Sequence, residues 1–365
     1  MFYVSISSCL SIQHTWDKGG TGKRRPSSTT CETLRCELLA LAIRQFPLLR
    51  AEKFILPRMD AKDVRIFCEI AFKSPGINEP GGREISPSVI GRSLGLDEKT
   101  VRVRIKRMEQ DGFIKNYQAI PSFALFGLKT LASYRFESLN ILTKHNIIDY
   151  IQRVPHVVDA YDYIGPFVAI RFAGTSQDDI QTVADSVASR FELSQFRLGD
   201  ESVLFTSLLP DKLDWQIIKK LRYDARCPAK DVATALHITP RMAEYKIKKL
   251  LSSGAMTVRA MIDTRKQQGL IFYELELSAS ETHQTSIAKQ LEKQHGERLW
   301  AVQKSRAGIL LVSLFGFTLG DPEEALLSSL KLEGVRGCSL YILKEMIEPP
   351  KPSWVDNIID RNGAG

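Results

Sequence analysis

The chain has 365 residues and a formal net charge of +8 at pH 7, with 44% hydrophobic and 25% charged residues. Its length predicts two to four domains, and its composition excludes a fibrous or fully disordered protein. No apolar run is long enough for a membrane span, so we expect no membrane partner. The six cysteines show no CxxC pair and no metal-ligand spacing. We interpret them as reduced thiols of a cytoplasmic protein, and we expect no metal and no cofactor.

The positive charge is concentrated near the start of the sequence. Residues 1–58 contain nine Lys or Arg and four Asp or Glu, which gives +5, so the rest of the chain carries +3. Bulk charge is therefore weak evidence for a nucleic-acid partner, and local charge has to decide. Residues 1–58 also lack periodicity and contain Gly- and Pro-rich stretches. We expect them to be a disordered or mis-assigned extension, followed by a module that begins at Met59.

The stretch from Leu96 to Ile114 has the pattern of an amphipathic helix with a cationic outer face. Asp97 is a candidate N-cap, and apolar residues recur at helical spacing after it. Gly112 stands where a left-handed residue often ends a helix. Such a helix fits the major groove of DNA, although a solvated basic face is the simpler alternative. The candidate DNA-binding residues here are Lys99, Thr100, Arg102, Lys106 and Arg107.

The same pattern occurs a second time in the other half of the chain, from Ile238 to Met256. The candidate cap is now Thr239, and the glycine is Gly254. Upstream residues repeat as well, with nine extra residues in the first copy between Lys73 and Glu84. A repeat this long indicates two copies of one module, which weighs against a merely solvated face. The candidate DNA-binding residues of the second copy are Arg241, Glu244, Tyr245, Lys248 and Lys249.

Each copy resembles the leucine-responsive regulator/AsnC (feast/famine) family of prokaryotic transcription factors. The shared pattern is an Asp pair with an Ile, a helix cap, a Thr-Val-x-x-Arg-Ile run and a glycine turn. In the first copy the matching residues are Asp60, Asp63, Ile66, Asp97, Thr100, Val101, Arg104, Ile105 and Gly112. In the second copy they are Asp211, Asp214, Ile217, Thr239, Lys246, Ile247 and Gly254. The resemblance covers roughly Met59 to Glu348, and tandem copies depart from the family's usual single copy.

The resemblance implies an α+β fold, in which tandem winged helix-turn-helix modules are each followed by a ferredoxin-like βαββαβ domain. It implies a transcriptional regulator that binds double-stranded DNA, responds to a small-molecule effector such as an amino acid, and assembles into a homo-oligomer. One chain would act as a covalent pseudo-dimer with its two sheets packed together. The expected boundaries are 1–58 for the extension, 59–121 for the first winged module, 122–209 for the first assembly/effector domain, 210–264 for the second winged module, 265–348 for the second ferredoxin-like domain and 349–365 for a loose tail.

The resembled family also binds its effector near the loop that follows the second strand of the ferredoxin-like domain. The matching candidates are Tyr161, Asp162 and Gly165, with Arg306 in the second copy. Asp162 is expected to pair with an amine and Tyr161 to form the wall of a pocket, whereas Arg306 would favour an anion. The alternative is an ordinary turn with half-buried aromatic side chains.

An enzyme with the same two-part architecture is the alternative function. Siroheme decarboxylases can be paired or fused, and their substrate, which has many carboxylates, would need Arg and His in a cavity. His156 and His295 stand near the starts of second strands, and Arg298 and Arg306 are close by. The chain lacks the Trp-Pro-Tyr-Asn-like motif of that group, and no Ser-His-Asp order or pair of catalytic carboxylates is recognisable. We therefore predict no catalytic residues and expect a regulator rather than an enzyme.

Overall fold

The computed structural model describes residues 59–70, 86–137, 140–202, 206–266, 269–296, 298–305 and 308–364. The predictions for the extension 1–58, for the insert between Lys73 and Glu84 and for Arg306 concern residues outside this part of the chain. In chain order, the helices and strands are α1 (Ala61–Cys68), α2 (Pro87–Leu94), α3 (Glu98–Gln110), β1 (Ile114–Pro121), β2 (Thr130–Glu137), α4 (Ile141–Ile151), β3 (Val157–Tyr163), β4 (Phe167–Gly174), α5 (Gln177–Phe191), β5 (Ser194–Ser202), α6 (Lys212–Leu221), α7 (Ala229–Leu236), α8 (Pro240–Ser252), β6 (Met256–Ile262), β7 (Ile271–Ala279), α9 (Glu281–His295), β8 (Leu299–Lys304), β9 (Ile309–Gly316), α10 (Gly320–Ser329), β10 (Val335–Ile347) and α11 (Trp354–Ala364). None of these helices is long and apolar enough to cross a membrane.

The capping residues predicted for the two cationic helices are confirmed. The Asp97 carboxylate accepts a hydrogen bond from the Thr100 backbone N–H at 2.8 Å, so α3 begins at the next residue. Thr239 Oγ accepts from the backbone N–H of Met242 at 3.2 Å at the start of α8. Gly112 follows α3 at φ +76°, a left-handed conformation that a residue with a Cβ rarely adopts.

The apolar side of each cationic helix faces the core of its own module, as the helical spacing predicts. Val101, Ile105 and Met108 of α3 are all buried, and each such side chain contributes about 1.5–3 kcal/mol when it leaves water. In α8, Ile247 and Leu250 are buried at the equivalent positions. Burial of these faces leaves the charged sides of α3 and α8 outward.

The strand after each cationic helix pairs with its counterpart from the other module. β1 and β6 form a two-stranded antiparallel ribbon, in which Gln118 lies opposite Arg259 and Ala119 opposite Val258. We refer to this pair of strands as the ribbon. Because it joins α3 to α8 through backbone hydrogen bonds, the two helical modules are parts of one body.

The remaining strands form a single antiparallel sheet of eight strands, in the order β5-β2-β4-β3-β10-β7-β9-β8. Each half has the βαββαβ order that the sequence predicts, and the fold class is α+β as expected. The halves meet where β10 pairs with β3, with Leu343 opposite Tyr163 and Ile347 opposite Ala160. Backbone hydrogen bonding therefore continues from one half-sheet into the other.

The helix-free faces of the two half-sheets lie against each other. Tyr134 of β2 and Leu275 of β7 pack against the helices. Because side chains alternate along a strand, the next residue of each strand lies on the opposite face of the sheet. On that opposite face, Arg135 of β2 forms an ion pair with Glu276 of β7. These strands are four positions apart in the sheet and would be about 19 Å apart if the sheet were flat. The ion pair therefore requires a strongly curled sheet whose halves face each other.

The loose tail predicted for residues 349–365 is wrong, because α11 packs against α6. Ser353 and Asp356 form reciprocal hydrogen bonds at the start of α11, and Asp356 also accepts from Arg222 Nε at 2.9 Å. Trp354 Nε1 donates to the carbonyl of Val157 at 2.8 Å. The prolines that suggested a loose segment precede the helix, where they break no helical hydrogen bond.

Candidate nucleic-acid interface

The start of α1 holds α3 in place through two carboxylates. Asp60 and Asp63 form a capping box at the start of α1, in which each side chain accepts from the other's backbone N–H. Both carboxylates also accept from Arg104 Nη1 of α3 at 2.8 Å. Arg107 donates to Asp63, whose side chain is fully buried. We call the two aspartates and the basic residues that contact them the carboxylate clamp.

Charge at the clamp keeps its outer carboxylate ionised. Partial burial raises the pKa of Asp60, but the backbone N–H of Asp63 and the guanidinium of Arg104 outweigh burial, so the pKa lies below its usual value. Hydrogen bonds between charged groups contribute more than neutral ones, about 1.5–3 kcal/mol. The clamp therefore fixes the orientation of α3 with charge-assisted bonds.

The second module repeats this clamp with a lysine in place of the arginine. Asp211 and Asp214 form the capping box of α6, and Lys246 Nζ of α8 contacts both carboxylates, at 3.0 Å for Asp214. Burial raises the pKa of Asp211, yet the Lys246 ammonium and the Asp214 backbone N–H hold it below its usual value. The clamp explains in physical terms why each copy has an Asp pair at the start of its first helix and a basic residue in the cationic helix.

The outer face of α3 carries a compact group of exposed cations. Lys99, Arg102 and Lys106 are exposed, and Val103 lies between them with 59% of its surface exposed. Arg102 pairs with Glu98 one turn earlier, an exposed contact that costs little to break. This face therefore has cations that can reach a phosphate or a base edge without disturbing the core.

Two further candidate DNA-binding residues of α3, Thr100 and Arg107, also have partners inside the protein. The Thr100 hydroxyl donates to Asp97 Oδ2 at 2.5 Å, and the half-buried Arg107 belongs to the carboxylate clamp. Arg107 thus lies at the edge of the predicted exposed face and orients α3. Helical spacing alone could not show this, because the partner Asp63 is 44 residues away.

The outer face of α8 differs in chemistry from that of α3. Arg241, Glu244, Tyr245 and Lys248 are exposed, and Lys249 is half-buried. Tyr245, with 62% of its surface exposed, adds an aromatic ring with a hydroxyl group. The face is therefore less cationic, and it offers an acceptor as well as donors.

Tyr161 and Asp162 lie near the end of β3, and Gly165 lies in the turn that follows this strand. Asp162 is fully buried, and its carboxylate contacts Lys144 Nζ at 2.6 Å and Lys344 Nζ at 2.8 Å. Lys144 also donates to the carbonyls of Tyr163 and Gly165 at 2.7 Å. Asp162 thus has two amine partners from the protein itself.

Tyr161, by contrast, lines a partly open cavity of about 140 Å³ between the two half-sheets. Burial, with a smaller contribution from Asp159, raises the pKa of Tyr161 to about 12. A second cavity of about 100 Å³ lies between the ribbon, the sheet and α11. Arg259, Trp300 and Met346 line both cavities. The sequence pattern did not single out Arg259, because it stands alone in an apolar strand.

The two histidines considered for an enzyme are not among the residues that line these cavities. His156 packs its ring on Trp354 with a centroid distance of 5.3 Å. His295 is in a surface groove near Arg298, where burial and that arginine lower its pKa. Asp321, Glu292 and Glu324 also line the groove. Among the described residues, no group of three or more His, Cys, Asp and Glu could hold a metal ion.

Residues 82–115 match a family model described as winged helix-turn-helix DNA-binding. This match includes all of α2 and α3 and the beginning of β1. The chain contains a winged helix-turn-helix DNA-binding module. No curated protein sequence matches the chain.

Similarity to solved structures extends over most of the chain. The siroheme decarboxylase NirDL aligns with 12% identity and a TM-score of 0.50, covering 83% of this chain and 98% of that chain. An AsnC family transcriptional regulator from Agrobacterium tumefaciens is 19% identical with a TM-score of 0.28, covering 42% of this chain and 97% of that one. E. coli AsnC is 17% identical with a TM-score of 0.27, covering 42% and 96%. The similarity to NirDL shows a shared fold, and at this identity it shows nothing further.

Proposed function

We propose that this protein is a sequence-specific DNA-binding transcriptional regulator whose single chain acts as a pseudo-dimer, with α3 and α8 as recognition helices. The observation that carries the proposal is the carboxylate clamp. In both modules it fixes the inner side of the cationic helix and leaves the outer side exposed. A rigidly held helix with outward cations is what entry into the major groove requires.

The ribbon and the shared sheet support the pseudo-dimer part of the proposal. The two recognition helices are linked through paired backbone strands, as two half-site readers of a dimer must be. Further self-association of the chain and control by a small-molecule effector complete the proposal. Light scattering of the purified protein tests self-association directly. A monomer at all concentrations would contradict the proposed self-association.

The two outer faces should read unlike half-sites. Arg102 can donate two hydrogen bonds to guanine, whereas Glu244 at the equivalent position of α8 can accept from cytosine. Each good base contact discriminates by about 1–3 kcal/mol. The preferred site for one chain is therefore a non-palindromic pair of half-sites about one helical turn apart.

A selection from random double-stranded DNA tests this proposal. The wild type should return an asymmetric site, and the double variant Glu244→Arg with Tyr245→Val should return a more symmetric one, because α8 then carries the residues found at 102 and 103. A Lys289→Ala variant, which removes an exposed cation from α9, is the matched control and should return the wild-type site. A perfect palindrome for the wild type, or no enriched site at all, contradicts the proposal.

A siroheme-decarboxylase-like tetrapyrrole enzyme is the second candidate, favoured by the fold shared with NirDL. A substrate with many carboxylates needs cations and histidine together in one space. Here the groove that contains His295 and Arg298 is also lined by three acidic side chains, and His156 is packed against Trp354. We therefore rank this candidate second.

Addition of siroheme to the purified protein, followed by visible spectroscopy, separates the two candidates. A regulator should leave the siroheme spectrum unchanged while it binds its selected DNA. A stoichiometric spectral change that is lost on substitution of His295 or Arg298 would favour the enzyme and overturn the regulator proposal if DNA binding is also absent.

A further inference from the structure

The larger of these two cavities, about 140 Å³ between the half-sheets, has two arginine side chains on one side. Arg171 donates to both oxygens of Asp159, at 3.1 Å from its Nε to Oδ1. Arg259 Nη1 lies 4.0 Å from Asp159 Oδ2, which is too long for a hydrogen bond. Two guanidinium groups therefore share one carboxylate, and that carboxylate is already satisfied by Arg171.

The other carboxyl group of this cavity already has hydrogen-bond donors from the protein. Glu274 is held by hydrogen bonds from the Tyr163 hydroxyl and from Ser313 Oγ, the latter at 3.0 Å. Burial raises the pKa of Glu274 above its usual value, and the hydrogen bonds from Tyr163 and Ser313 oppose that rise. The guanidinium of Arg259 is thus the group in this cavity best placed to bind an anion.

The size and walls of the cavity limit what that anion can be. A cavity of about 150 Å³ in another protein holds one benzene molecule, so this one has room for a body of about that size. The walls are largely aromatic and aliphatic, and they include Tyr161, Phe272, Tyr273, Trp300, Leu311 and Leu343. Apolar walls with one cation whose neighbouring carboxylate is 4.0 Å away are suited to a ligand with a compact apolar body and a single acidic group.

We propose that this cavity binds a small carboxylate with a benzene-sized apolar body, whose carboxylate pairs with Arg259. The chemistry is shared by aryl carboxylates and by the carboxylate end of apolar amino acids. Binding would place the carboxylate beside the guanidinium and the apolar body among the aromatic side chains. This proposal about binding is independent of any role in DNA binding.

A regulatory consequence follows from the position of Arg259 in the ribbon, and that consequence rests on the proposed function. Arg259 is in β6 and lies opposite Gln118 of β1. These strands follow the two recognition helices directly along the chain, α3 before β1 and α8 before β6. A ligand that pairs with Arg259 should therefore shift β6 relative to β1. Because these strands set the spacing of α3 and α8, the shift should change DNA affinity.

Isothermal titration of the full chain with benzoate, with benzamide as the uncharged analogue, tests the binding. Benzoate should bind and benzamide should bind at least tenfold more weakly, because only benzoate carries the charge that pairs with Arg259. The Arg259→Gln variant should lose at least tenfold in benzoate affinity. The matched control is Arg265→Gln, which removes an exposed arginine shortly after the ribbon and should leave benzoate affinity unchanged.

A second variant keeps the test decisive if Arg259→Gln fails to fold. Ala169 is buried and lines the cavity, so Ala169→Leu should fill much of the space and abolish benzoate binding with Arg259 intact. L-Phenylglycine tests the amino-acid source, since it adds an ammonium group to the same apolar body. No benzoate binding by the wild type, equal binding of benzamide, or unchanged binding in both variants overturns the proposal.

DNA binding is then measured with and without saturating benzoate, and this separates the two proposals. A change in DNA affinity in the wild type that is absent in Arg259→Gln supports the regulatory consequence. Unchanged DNA affinity, with benzoate bound, overturns that consequence and leaves the binding site intact. A protein that binds benzoate but no DNA at all contradicts the proposed function rather than the site.

Discussion

Replacement of Arg102 and Lys106 together by alanine tests the outer face of α3 as a DNA contact. Both side chains are exposed, and the pair that Arg102 forms with Glu98 is worth about 0.3–0.5 kcal/mol, so the variant should stay folded. If each side chain neutralises one phosphate, the slope of log affinity against log salt falls by about 1.8 in magnitude, at about 0.9 per contact. Between about 50 and 200 mM salt, the wild type should therefore lose about twelve times more affinity than the variant.

Fluorescence anisotropy with a labelled duplex that contains the selected site measures this difference across the salt range. The matched control is Lys289→Ala with Lys293→Ala, which removes the same charge from an exposed part of α9, outside the helical modules. The control should keep the wild-type slope. Equal slopes for the wild type and the α3 variant would refute the assignment of this face, because no counterions would then be released through it.

Three further predictions concern the clamp and the link between the halves. Asp63→Asn keeps the shape of the buried cap and removes its charge, so it should lower the free energy of unfolding in urea by about 1.5–3 kcal/mol, whereas Asp97→Asn at an exposed cap should change it little. The folded-state pKa values of Asp60 and Asp211 lie below 3.8, so the contribution of these carboxylates to stability is fully present above that pH. This contribution should be lost as the pH falls through the lowered pKa values, which unfolding experiments between about pH 2 and 6 would measure. Cleavage at a protease site inserted after the exposed Leu209 should leave two halves that co-elute on size exclusion, because strand pairs and ion pairs hold them together; separate elution would contradict the structure.

Features that depend on a few neighbouring residues could be predicted from the sequence. Asp97 caps α3 through Thr100, three residues later, and Gly112 ends it through its own backbone angle. The apolar spacing of Val101 and Ile105 identifies the buried side of the same helix. In each case the physical cause lies within one or two helical turns, so the pattern in the sequence contains it.

Features that depend on distant partners could not be predicted. Asp162 has a charge that could bind a ligand amine, but its lysine partners come from the preceding helix α4 and from β10, the last strand along the chain. The positively charged edge of the cavity arises because the fold brings Arg259 towards the Arg171–Asp159 pair. Pairing between the halves is likewise a property of the folded sheet. Sequence spacing does not determine which edge strands meet.

The two copies of the module share the residues that stabilise the fold and differ in the exposed residues of the cationic helices. Both have the carboxylate clamp and the buried apolar face, because each cationic helix must be held against its own core. On the exposed side, Arg102 and Val103 of the first copy correspond to Glu244 and Tyr245 of the second. Substitutions at such exposed positions usually change stability by less than about 0.5 kcal/mol, so folding places little constraint on them. The asymmetry of the chain is therefore concentrated on the surface that would meet DNA, which is why base preference, rather than stability, is the property that should distinguish the two helices.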